Sequence, residues 1–83
     1  MIESKEQVLS DFRKKARVFL ADPNPVTGID LDDASVTLKR YVLSVMHDEA
    51  LGSLLARIQK PIRRLDVTTV SQLVTEVVAG LDD

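Results

Sequence analysis

At 83 residues the chain has room for one domain, expected to span residues 1–83. With 45% apolar residues and no cysteine, burial alone must hold that domain together. A chain of this size buries only about 60–65% of its unfolded surface, so oligomerisation or a partner would be a natural supplement. The net charge of −2 is too small to imply nucleic acid or an anionic membrane. A single histidine and no thiol also leave few ways to assemble a catalytic or metal centre.

The first helix is expected over residues 4–21. Val8, Leu9, Phe12, Ala16, Phe19 and Leu20 recur at the three-and-four spacing of one helical face. Ser4 and Gln7 have the spacing of a capping box, and Asp22-Pro23-Asn24-Pro25 is a stop signal. Residues 22–30 then read as a long loop, with Gly28 available for positive φ. The loop and the carboxylates Asp30, Asp32 and Asp33 do not fit a calcium loop, because Val26 and Thr27 fall where a ligand and glycine are required.

A second helix is expected to start between Asp30 and Asp33, with Ala34, Leu38, Tyr41, Val42 and Val45 on one face. Leu51, Leu54, Leu55 and Ile58 would point to the opposite side of a continuous helix at about 100° per residue. A break between His47 and Gly52 resolves this; the alternative is one long helix buried on two sides. The third helix should end by Lys60, before Pro61, with residues 61–65 as a connector, either irregular or one helical turn with Pro61 at its first position. The last helix should begin at Thr68 or Thr69, capped by Thr69 with Gln72, and should end near Gly80 as a C-terminal cap. Val70, Leu73, Val74, Val77 and Leu81 form its stripe, with Leu73 and Phe12 as core anchors. The expected fold is all-α: a compact four-helix bundle with a long loop between the first two helices.

No polar set converges on a reaction centre. His47 stands beside Asp48 and Glu49, but adjacent helical residues diverge and no second His or Cys exists to share a metal. Two basic clusters, Arg13-Lys14-Lys15 with Arg17, and Arg57, Lys60, Arg63 and Arg64, lack the aromatic interleaving of single-strand nucleic-acid sites. Neither a catalytic residue nor a metal or other cofactor is expected, and a nucleic-acid partner is not expected either. The opening Met1-Ile2-Glu3-Ser4-Lys5-Glu6 has no apolar signal region, and no apolar run approaches the roughly 20 residues of a membrane span. A cytoplasmic protein is the expectation.

The reading favoured by the residues is a small non-enzymatic adaptor, chaperone or assembly subunit. Val36 and Leu43 lie roughly opposite the apolar stripe of the second helix, flanked by Met46 and rimmed by Lys39 and Arg40. These five are the expected contact residues for a protein partner or a second copy of the chain. A second reading comes from a resemblance. Arg64-Leu65-Asp66-Val67-Thr68-Thr69-Val70-Ser71-Gln72-Leu73 is similar to the entry into the last helix of acyl and peptidyl carrier proteins. Asp30-Leu31-Asp32-Asp33-Ala34-Ser35-Val36 resembles their Asp-Leu-Gly-x-Asp-Ser-Leu motif, with Asp32 in place of the glycine and Ala34 in place of the second aspartate. The resemblance implies a four-helix carrier domain with phosphopantetheine on Ser35.

Overall fold

The computed structural model describes residues 4–82, with the side chain of Asp82 outside the description. Helix α1 runs Lys5–Ala21 and begins with the expected box: Gln7 N–H donates to Ser4 Oγ, and Ser4 N–H to Gln7 Oε1. Its buried face is Val8, Phe12, Ala16 and Phe19.

Helix α2 spans Pro25–Ser44, so the expected long loop is corrected to Asp22, Pro23 and Asn24. The cause is local. Asn24 Oδ1 accepts from the N–H groups of Val26 and Thr27, at 2.9 and 3.0 Å, while Asn24 N–H donates to Thr27 Oγ1. Pro25 occupies the first helical positions, where its missing donor costs nothing and its fixed φ suits the helix. A proline that stops one helix thus starts the next. Gly28 is helical and buried, and no glycine among the described residues has positive φ.

A break is present but lies earlier than expected, at residues 45–48 instead of between His47 and Gly52: α2 ends at Ser44, α3 runs Glu49–Arg57, and Gly52 is buried inside α3. His47 adopts the left-handed conformation (φ 54°) that turns the chain, and Asp48 caps α3 by accepting from Leu51 N–H. Val45 lies beyond the last helical residue and is exposed, not part of the core stripe as expected, and Tyr41 is half-buried. Pro61 has no N–H for the carbonyl of Arg57, four residues back, which ends α3 there. The chain resumes as a one-turn helix, α4 (Gln59–Arg63), with Pro61 inside it and not at its first position. Its exit is a Schellman turn: Leu65 N–H donates to Ile62 O and Asp66 N–H to Pro61 O. Leu65 holds the left-handed position (φ 58°) that glycine usually takes, at a cost of about 1–2 kcal/mol.

Helix α5 covers Val67–Asp82, starting before the expected Thr68 or Thr69. Asp66 does the capping: Thr69 N–H and Oγ1–H both donate to its carboxylate. Thr69 is therefore a donor to the cap instead of the cap itself. Gly80 lies within the helix and caps nothing. Among the described residues there is no strand, and no helix is long and apolar enough to cross a membrane.

The four longer helices close into a ring: α1 packs on α2, α2 on α3 and α4, these on α5, and α5 on α1. The radius of gyration, 11.6 Å, matches the roughly 12 Å expected of a folded domain this long. Phe12, Phe19, Leu38, Leu55, Ile58, Ile62, Val70 and Val77 are fully enclosed, and Leu73 is 6% exposed. Two glycines sit at close approaches, the more constraining at Gly80, whose neighbour is buried, whereas Leu43 beside Gly52 is 39% exposed. A Cβ on Gly52 would lie 2.6 Å from a methyl of Leu43, and one on Gly80 2.7 Å from a methyl of the buried Leu51. At Gly28 the nearest atoms would be 3.5 Å or more away, an ordinary contact. Gly28→Ala is therefore expected to stabilise by about 0.5–1 kcal/mol through helix propensity. Gly80→Ala should destabilise despite the same gain, because Leu51 must leave its place in the core. Paired thermal melts check the opposite signs.

Candidate functional site

Helix α2 carries most of the residues that the sequence singles out. Val36 and Lys39 are half-buried, Arg40 is exposed and Leu43 is 39% exposed. Leu43 is partly covered because α3 approaches over Gly52, so its side chain lies in the notch between the two helices. Met46 is half-buried and packs against the core, because the chain leaves α2 at Ser44 and turns back. Ile29, Val36 and Leu43 recur every seven residues, with Asp32 and Lys39 between them. This line follows one flank of α2, with α4 beside its N-terminal part and α3 beside its C-terminal part.

Ser35 lies eleven residues from Asn24, well inside α2 and not at its start. It is fully buried, and its Oγ–H donates to Leu31 O at 2.8 Å. A hydroxyl that receives a prosthetic arm must meet both an enzyme and the arm, and this one faces the core. The basic residues Arg13, Lys14 and Arg17 of α1, and Arg57, Lys60, Arg63 and Arg64 around α4, are exposed, with Lys15 half-buried. His47 is also exposed. No group of three metal-ligating side chains is found among the described residues.

The N-terminal end of the α2 flank holds a feature that the sequence did not announce. Pro25, Gly28, Ile29 and Asp32 of α2 face Ile62, Arg63 and Leu65 of α4 and its exit turn across a cavity of about 240 Å³. Ile29 is 63% exposed at its edge, with Val26 (69%) three residues earlier on α2. Asp32 Oδ1 is enclosed and meets no hydrogen-bond donor among the described residues. Shallower depressions lie along α1 (Ser4, Glu6, Gln7, Ser10, Asp11, Lys14) and between Arg57 and α5. The cavity joins residues 28 and 62, which only the tertiary fold brings together. No known protein family, curated protein or solved structure matches this chain.

Proposed function

We propose that this protein is a non-enzymatic binding module that engages a protein partner across α2. One observation carries the reading: of the six large hydrophobic residues left exposed among the described residues, four lie on α2 or its C-cap. These are Val26, Ile29, Leu43 and Val45, and Leu65 faces Ile29 across the cavity. Exposed apolar side chains scattered singly need no explanation, whereas Ile29 and Leu43, joined by the half-buried Val36, follow one flank of α2, and a contiguous apolar surface favours an interface. Val36, Lys39, Arg40, Leu43 and Met46 form its C-terminal half, with the two cations at the rim. A second copy of the chain and an unrelated partner are both compatible with such a surface.

The carrier alternative, with phosphopantetheine on Ser35, draws support from the sequence resemblance alone. The burial of Ser35 weighs against it. Leu43→Asp is expected to release the partner, or to halve the sedimenting mass of a dimer, while helix content by circular dichroism stays within a few per cent. Loss of helix content would instead assign Leu43 to the core.

A further inference from the structure

We infer that the outward face of α2 pairs with the same face of a second copy of this chain, the two helices antiparallel about a two-fold axis at Val36. The inference rests on the reading of α2 as the binding face and names what covers it. The apolar part comes first. Ile29, Val36 and Leu43 recur every seven residues along one flank of α2, with Ile29 and Leu43 exposed and Val36 half-buried. A seven-residue repeat is the spacing at which two helices pack along a shared seam. Val36 is the middle member, so a two-fold axis there sets Ile29 of each copy against Leu43 of the other. An isologous contact of this kind asks only that one surface be complementary to itself.

The charges around Val36 meet that condition. Asp32 and Asp33 lie four and three residues before it, and Lys39 and Arg40 three and four residues after it. At about 100° per residue, Asp33 and Arg40 fall on one side of the apolar line, and Asp32 and Lys39 on the other. Asp33 and Arg40 are exposed, while Asp32 and Lys39 are half-buried. Opposite charges that support a single helix stand three or four residues apart. Asp33 and Arg40 stand seven apart, roughly 10 Å along the helix axis and beyond each other's reach. The two-fold axis closes that gap. It brings Asp33 of each copy beside Arg40 of the other, on the same side of the seam and within one residue of level.

Direction follows from the same order of charges. Parallel pairing would set Asp33 against Asp33 and Arg40 against Arg40, and like charges facing each other repel. Acids before the centre and bases after it are what an antiparallel copy of the same helix matches. The contact then forms twice, once on each side of the axis.

The test is sedimentation equilibrium of Asp33→Arg, Arg40→Asp and their equimolar mixture, beside the unaltered protein, up to millimolar concentration. The unaltered protein is expected to reach twice its 9.2 kDa monomer mass. Each single variant puts two like-charge contacts into the dimer and should weaken self-association about tenfold or more, with helix content by circular dichroism unchanged because both side chains are exposed. The mixture should dimerise again, since every contact between the two variants joins an Asp to an Arg. A second measurement leaves the charges alone. In this cysteine-free chain, Ile29→Cys and Leu43→Cys should form a disulfide with each other faster than either forms one with itself. A protein that stays monomeric at millimolar concentration, single charge variants that dimerise like the unaltered chain, a mixture that does not re-form the dimer, or cysteines that prefer their own kind would each overturn the inference. If the unaltered protein is monomeric while Leu43→Asp still releases a different protein, the second copy is wrong and the binding face stands.

Discussion

Phe12→Ala is expected to cost about 3–5 kcal/mol, the usual range for removing a buried phenylalanine. Phe12 has no exposed surface and sits in the α1 stripe of Val8, Ala16 and Phe19, in the common core with α2 and α5. The ring cannot be replaced by neighbouring motion without opening one of these contacts, so a cavity remains. A domain of this size holds on the order of 5 kcal/mol in total, and the variant should be partly unfolded at 37 °C. Leu73→Ala, from the facing stripe of α5, should lose somewhat less, because Leu73 keeps 6% of its surface exposed. Urea titrations with unchanged slope would report both losses. A shift below about 1 kcal/mol at Phe12 would mean that the core is not where the stripes meet.

Ser35 separates two readings of the same helix. Ser35→Ala should change stability by less than about 1 kcal/mol, since the Leu31 carbonyl keeps its backbone donor and alanine is the better helix former. Ser35→Glu should cost several kcal/mol and lower helix content sharply, because a carboxylate at a fully enclosed position meets no partner. For the same reason, incubation of the folded protein with coenzyme A and a broad-specificity phosphopantetheinyl transferase should leave its mass unchanged. A product heavier by one phosphopantetheine arm, lost in Ser35→Ala, would restore the carrier reading.

Much of the fold is written in spacing. The stripes of α1 and α5, the box at Ser4 and Gln7, and the existence of a break between α2 and α3, though not its position, follow from period and local chemistry. The start of α2 was obscured because Pro25 carries two opposite meanings: it terminates a helix that precedes it and opens one that follows a capping residue. Asp66 was passed over as the cap of α5 because Thr69 offers the same spacing to Gln72, and only geometry shows which side chain accepts. Val45 kept the phase of the apolar stripe in sequence but lost it in space when α2 ended one residue earlier. The proposed binding face was half legible. Val36, Lys39, Arg40 and Leu43 are marked by helical phase alone. The cavity at Gly28, Asp32 and Ile62 depends on how α4 leans on α2, which no local pattern encodes.

The central claim is that α2 is the face through which this protein works, and site-specific photo-cross-linking tests it most directly. A benzophenone side chain is placed at Ile29, at Leu43 or at the exposed Glu76 of α5, and each variant is irradiated in the cells that make the protein. The account predicts a covalent adduct of one discrete mass from Ile29 and from Leu43, and none from Glu76. No adduct from either α2 position, or the same adducts from all three, would contradict it.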